Sequence, residues 1–148
     1  MALEDVNSKT IYCWYSAALG KLDKTVASSN NDFGKGRENT EYVNGKWNDS
    51  SLPYGAHNDN SSYDDIWSAI QEQISDRWFV PSKSEWASFG ATFNITSGNY
   101  LSKFGLSPIY WSSSQYTTRT VYGTYFNYDN IYDEYVTKEH YVRLATTF

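Results

Sequence analysis

The sequence predicts an α+β fold, from two amphipathic helical segments between residues 64 and 90 and a strand-rich stretch without helical period after Ile109. Ahead of these, Thr10–Tyr15 is a β-branched and aromatic run that reads as a strand. From Lys24 to Glu38 the chain is polar, and Gly-Lys-Gly interrupts any periodicity. Asn39-Thr40 then caps a short helix carrying Tyr42, Val43, Lys46 and Trp47, and residues 48–62 read as a polar loop. Asp64 and Asp65 open the first strong helix, over 64–75, where carboxylates favour the positive helix end. Its Ile66, Ile70 and Ile74 recur on one face with Trp67 beside them.

Trp78-Phe79-Val80 reads as a short buried strand stopped by Pro81. Ser82-Lys83-Ser84-Glu85 has the S-x-x-E form of a capping box, opening a helix over 83–90 with Trp86, Phe89 and Phe93 on one face. After a loop over 94–105 the pattern gives only short strands, Ile109–Ser112, Thr120–Phe126 and Tyr141–Ala145. A strand pair is expected between 109–114 and 140–145. Trp67, Trp78, Trp86, Phe89, Trp111 and Val142 are expected to be buried together.

Composition narrows the function classes. The chain has 148 residues, which favours one domain spanning 1–148, and a formal charge of −5, which argues against nucleic acid or an anionic membrane as partner. No apolar run suits membrane insertion, and the first ten residues lack a signal-peptide pattern. One cysteine, Cys13, allows neither an internal disulfide nor a multi-cysteine zinc site; inside an apolar run it reads as buried and inert.

Three segments taken in order carry a resemblance. They are Gly34-Lys35-Gly36-Arg37-Glu38-Asn39-Thr40, then Arg77-Trp78-Phe79-Val80-Pro81-Ser82-Lys83-Ser84-Glu85-Trp86, then Tyr110-Trp111-Ser112-Ser113-Ser114 with a closing Tyr141-Val142-Arg143. This order resembles the Lcl-type C-terminal domains of bacterial and phage proteins, in the formylglycine-generating-enzyme-like branch of the C-type lectin fold. The resemblance covers about residues 30 to 148 and implies two main helices with short antiparallel strands. The last segment also resembles the variable region of diversity-generating-retroelement target proteins, where adenine-directed mutagenesis rewrites codons to vary a binding surface. Members of the family often carry Ala-Trp and Gln after the Y-W-S-S-S strand, where this chain has Val121-Tyr122 and Thr124, and a late second Arg is Thr146 or Thr147 here.

The residues make an independent case for recognition. The window 116–141 holds half of all the tyrosines, and sixteen of its twenty-six residues are Tyr, Thr, Asn or Asp, where ordinary usage gives about five. Its aliphatic residues are only Val121, Ile131 and Val136, too few to bury the window as core. Tyrosines among small polar residues make up antibody-like paratopes, with rigid contact area and adaptable hydrogen bonding. An edge sheet packed by tyrosines is the competing reading. Randomising both adenines of an Asn codon never yields Lys, Glu, Gln, Met or Trp. In the window only Glu134, Lys138 and Glu139 fall outside the reachable set, so they read as scaffold positions.

Alternation along Val121–Phe126 sets Tyr122, Thr124 and Phe126 on one face and Val121, Gly123 and Tyr125 on the other. The resemblance makes the first face the core, so Tyr125 is expected in solvent. Val121, Phe126, Ile131 and Val136 recur every five residues, a period of neither helix nor strand, and read as isolated anchors beneath loops. The expected ligand-binding set between the anchors is Tyr116, Thr118, Arg119, Tyr125, Tyr128, Asn130, Tyr132, Asp133, Tyr135 and His140, gathered on one face.

Other chemistry is weaker. Trp47-Asn48-Asp49 reproduces a tripeptide of calcium-dependent lectins but lies early, without the upstream loop, and reads as a solvated helix end. Asn58-Asp59-Asn60 with Asp64-Asp65 lacks the glycine and closing glutamate of a calcium loop. His57 and His140 have no ligand spacing for zinc. Ser112–Ser114 lie in a strand without a nucleophile turn, and Asp133-Glu134 diverge along theirs. Formylglycine-generating activity needs cysteine chemistry that Cys13 alone does not supply. The expectation is therefore a non-enzymatic binding protein with no cofactor and no metal. Its ligand is a protein or glycan on a cell surface, and its setting a phage particle or the bacterial surface. The alternative is an undiversified structural or adhesin domain of the same fold, which a neighbouring reverse transcriptase and template repeat would distinguish.

Overall fold

The computed structural model describes residues 1–2, 4–13, 34–49, 65–117 and 120–147. Within them the chain is α+β: five helices precede a three-stranded antiparallel sheet, and a two-stranded ribbon lies beside it. Strand β1 (Ile11–Tyr12) pairs with the late β5 (Glu139–His140), so the expected early strand forms as far as it is described.

Helix α1 (Gly36–Asn48) starts before the expected Asn39-Thr40 cap. Both residues lie within its first turns, fully buried, and act as polar fasteners. The Thr40 hydroxyl lies 2.7 Å from the Gly36 carbonyl and accepts the Val80 amide at 3.0 Å. The Asn39 amide group reaches Ser113 Oγ at 3.3 Å. Asn48 and Asp49 are exposed at the helix end, as the solvated reading of Trp47-Asn48-Asp49 requires.

The helix expected over 64–75 is two. Asp65 accepts the Ser68 amide at 2.9 Å and Ser68 answers on the Asp65 amide, a capping box that opens α2 (Ile66–Ala69). Ile70 leaves helical geometry before α3 (Gln71–Ser75) resumes. Ile66 and Ile70 are buried and Ile74 is half-buried. Asp64 and the Asn58–Asn60 cluster lie outside the described residues, as does His57. The second capping box forms as expected and opens α4 (Lys83–Thr92), with Trp86 fully buried, Phe89 half-buried and Phe93 largely exposed. A short helix α5 (Tyr100–Phe104) occupies part of the expected loop and ends at Gly105, whose φ of 61° suits a left-handed cap.

Strands β2 (Ile109–Gln115), β3 (Thr120–Tyr125) and β4 (Asn130–Tyr135) form the sheet in that order. β4 corrects the reading of Ile131 as a loop anchor; it is an edge strand, polar on both faces, and so lacks apolar alternation. Between Trp111 and Gln115 the β2–β3 register slips, a bulge that spans the three serines. Ser113 takes the Pro81 carbonyl on its amide at 2.8 Å, and Ser114 Oγ accepts the Lys83 amide at 3.0 Å. The serine hydroxyls thus bind the sheet to α1 and to the start of α4.

Two expected strands shrink to bridges. Phe79 pairs antiparallel with Ala145, and Tyr141 pairs parallel with Tyr110, so the pairing of 109–114 with 140–145 is one parallel bridge. The backbone there is committed to several partners: Trp111 N–H to Tyr141 O at 2.9 Å, Val6 N–H to Val142 O at 2.8 Å.

The sheet divides the core in two, so the aromatic set expected together is split. Trp67, Trp111 and Val142 are buried with Ile11, Cys13 and Ile66 on one face, and Trp78 packs at the margin, half-buried. On the other face Trp86 stacks on Tyr110 at 4.8 Å, with Phe126 and Phe89 edge-on. The Trp86 indole N–H donates to Trp111 O at 3.2 Å, linking the two. Burial pushes the Cys13 thiol well above its ordinary pKa, with Asp65 adding to the effect, so it is held neutral.

Glu85 joins α4 to α1. One oxygen accepts Ser82 N–H at 2.7 Å; the other accepts Gly34 N–H at 3.0 Å and Gly36 N–H at 3.4 Å. A Cβ at Gly36 would collide with the Glu85 carboxylate and stand 2.8 Å from the Phe79 ring, whereas one at exposed Gly45 would meet nothing. Gly36→Ala is therefore expected to destabilise the fold by about 1–3 kcal/mol through overpacking. Gly45→Ala, in the same helix, should stabilise by up to about 1 kcal/mol. Paired urea melts check both signs, and equal effects would contradict the packing at Gly36.

Candidate tyrosine surface

The pleat decides which tyrosines share a face. Cross-strand partners lie on the same side of an antiparallel sheet. Thr120 opposes Tyr135, Tyr122 opposes Asp133 and Thr124 opposes Ile131, all on the α4 side. Val121 with Glu134, Gly123 with Tyr132 and Tyr125 with Asn130 lie on the other. The division of β3 into two faces is as the alternation predicts.

The expectation that Tyr125 faces solvent is corrected, because its side chain is buried at 7% exposure. Gly123 leaves room for its ring, since a Cβ there would sit 3.3 Å from Tyr125 Cε2. Tyr132 packs edge-on at 5.1 Å and the His140 ring lies 6.0 Å away. The hydroxyl donates to the Glu134 carboxylate. Burial first, and that hydrogen bond second, push the phenol far above its ordinary pKa. Tyr122, expected on the core face, is only half-buried: Lys83 Nζ sits 4.1 Å above its ring and Tyr116 lies 5.3 Å away.

The remaining expected residues divide as follows. Tyr116, Tyr128, Asn130, Tyr132, Asp133 and Tyr135 are exposed, and His140 is half-buried with its ring 4.7 Å from Trp111. Thr118 and Arg119 lie outside the described residues. The set does not gather on one face. Tyr128, Asn130 and Tyr132 surround Tyr125, while Asp133 and Tyr135 lie on the α4 side of the pleat, as does Tyr122, the partner of Tyr116. What unites Tyr132, Asp133 and Tyr135 is β4 itself, which among the described strands pairs only with β3 and so presents both its faces along one rim.

Burial lowers the His140 pKa below its ordinary value; Glu134 opposes the shift and Lys138 adds to it. Glu134 also pairs with Lys138 at 3.6 Å, so it anchors the strand as well as Tyr125.

A second cluster was not read from the sequence. Asp5, at a side-chain exposure of 9%, accepts Arg143 Nε at 2.7 Å and the Tyr110 hydroxyl at 2.8 Å on one oxygen, and the Ser107 hydroxyl at 2.6 Å on the other. Arg143 also reaches the Gly105 carbonyl at 3.4 Å, with its guanidinium 5.6 Å from the Tyr110 ring. Burial and the Asp5 carboxylate outweigh the Ser107 amide and push the Tyr110 phenol up to about 12. Every member is spent on another, so this is a structural junction.

Among the described residues no group of three His, Cys, Asp or Glu is placed to hold a metal ion, and no helix is long and apolar enough to cross a membrane. No family model, curated protein or solved structure matches the chain.

The contrast in burial sets an expected outcome. Tyr125→Ala should cost about 3–5 kcal/mol, as truncating a buried aromatic does. Tyr128→Ala and Tyr132→Ala should each cost under about 1 kcal/mol, as surface substitutions do. Chemical denaturation of the three variants checks this, and a cost at Tyr128 equal to that at Tyr125 would make the surface a folding element.

Proposed function

We propose that this chain is a non-enzymatic ligand-binding domain with a C-type lectin-like fold of the formylglycine-generating-enzyme-like branch. It uses the tyrosines around β4 to hold a protein or glycan on a cell surface. The observation that carries the reading is the exposure of Tyr128 and Tyr132, at 68% and 46%, above a support of buried Tyr125 and half-buried Glu134 and His140. Large rings standing free on a fixed base offer contact area at little entropic cost, the property of binding hot spots. The working surface is the β4 rim: Tyr128, Asn130 and Tyr132 on one side, Asp133 and Tyr135 on the other.

Diversification of this surface is part of the proposal. The residues that adenine-directed change cannot produce are spent on support: Glu134 holds Tyr125 and Lys138, and Glu139 pairs with Tyr12 in the β1–β5 ribbon. This supports a fixed base beneath a variable rim, displayed on a phage particle or bacterial surface. The undiversified structural or adhesin domain predicts no adjacent reverse transcriptase or template repeat.

The test is an array of purified bacterial surface proteins and glycans, probed with the chain and with a Tyr128→Ser, Tyr132→Ser, Tyr135→Ser variant. The account expects saturable binding by the parent chain and a loss of about tenfold or more in the variant, a modest share of what hot-spot residues supply. The melting temperature should stay within about 5 °C. No binding by the parent, or equal binding by both, would contradict the proposal.

A further inference from the structure

On the α4 side of the sheet lies a cleft that meets the tyrosine surface only at Tyr125 and Asn130. Its volume is about 470 Å³, within the range of small-molecule pockets. Ala87, Gly90 and Ala91 form its helical wall, spaced so that all three share one side of α4. Ile131 faces them from β4 and Phe126 from the turn after β3, and Ile95 contributes a further apolar surface. At Gly90 the two walls are close, since a Cβ there would lie at contact distance, 3.6 Å, from the Phe126 ring, and the open part of the cleft lies beside Ala87 and Ala91.

One polar atom of this lining has no task in the fold. Thr124 is 5% exposed and its hydroxyl makes no hydrogen bond. It lies on the α4 face of β3, between Tyr122 and Phe126, and lines the cleft. An unpartnered buried hydroxyl costs free energy that a ligand group can recover. The charged lining groups are differently placed: Lys83 has its ammonium on the Tyr122 ring, and Asp129 is exposed in the turn before β4.

We propose that this cleft is a binding site for a compact, neutral, largely apolar molecule with a single hydroxyl, which hydrogen-bonds to Thr124 while its ring or alkyl body packs against Ala87, Ala91 and Ile131. A sugar is a poor fit, because it brings a hydroxyl on nearly every carbon to a wall that offers one buried partner. The cleft borders the tyrosine surface at Tyr125 and Asn130, but the exposed rings of Tyr128, Tyr132 and Tyr135 are not among its lining, so the inference does not rest on that surface.

Methyl NMR of the full chain tests it, with 4-ethylphenol, ethylbenzene, N-acetyl-tyrosinamide and methyl α-glucoside as probes. The expected result is saturable shifts of the Ala87, Ala91, Ile95, Thr124 and Ile131 methyls with 4-ethylphenol. Ethylbenzene should bind about fivefold more weakly, the worth of one neutral hydrogen bond. Thr124→Val should remove that preference, and Ala91→Leu, which fills the cleft from an exposed helical position, should abolish binding of both. Absence of saturable shifts, glucoside binding at the same methyls, or a preference that survives Thr124→Val would overturn the proposal. Tighter binding of N-acetyl-tyrosinamide than of 4-ethylphenol would overturn it too, by assigning the cleft to a partner's side chain.

Discussion

The buried pair of Asp5 and Arg143 ties three distant stretches of chain to one point. Asp5 comes from the first residues, Arg143 from the last stretch, and Tyr110, Ser107 and Gly105 from the entry to β2. Two charges with little access to water are tolerable only because each is met by well-placed donors and acceptors. Around this point the backbone closes: Ala2 and Val6 bond the carbonyls of Leu144 and Val142, and β1 pairs with β5. Tyr110, held by the same carboxylate, is the residue on which Trp86 stacks, so the junction also fixes where α4 meets the sheet. Such a pair adds little net stability compared with a well-packed apolar pair, but it is costly to halve.

A second constraint explains why the three sequence segments occur together. Glu85 of the second segment receives the amides of Gly34 and Gly36 from the first. Asn39 of the first reaches Ser113 of the third, and Lys83 of the second donates its amide to Ser114 of the third. The glycine, the capping box and the serine bulge are one packing unit. Residues of this kind speak for a fold. The binding chemistry has to be argued from the window beyond them, where tyrosines are present in excess of what packing consumes.

Local rules made part of this legible. The S-x-x-E box at Ser82–Glu85 and the two-face division of β3 depend on neighbours within a few residues, so the sequence displays them directly. The Asp5–Arg143 pair spans 138 positions, and nothing near either residue marks the other. β4 carries no apolar alternation to mark it, because it is an edge strand with exposed residues on both faces. Tyr125 is expected in solvent only because the resemblance makes the other face the core, since alternation separates two faces without saying what covers each. Gly123 makes the space, and His140, Tyr132 and Glu134 fill it. The exposure of Tyr116, Tyr128, Tyr132 and Tyr135 was legible from composition alone, because so few aliphatic residues accompany them.

A surface free to carry binding residues requires that the chain be held in place elsewhere, and the Asp5–Arg143 junction is where its two ends are fixed together. A double-mutant cycle by urea denaturation measures it directly, with Asp5→Leu, Arg143→Leu and the combined variant. The account predicts that each single change costs about 3–5 kcal/mol, because it strands a buried charge or its donors. The combined variant should recover at least about 2 kcal/mol of the summed loss. Single costs that simply add, within about 0.5 kcal/mol, would contradict it by showing that the two ends of the chain are held independently.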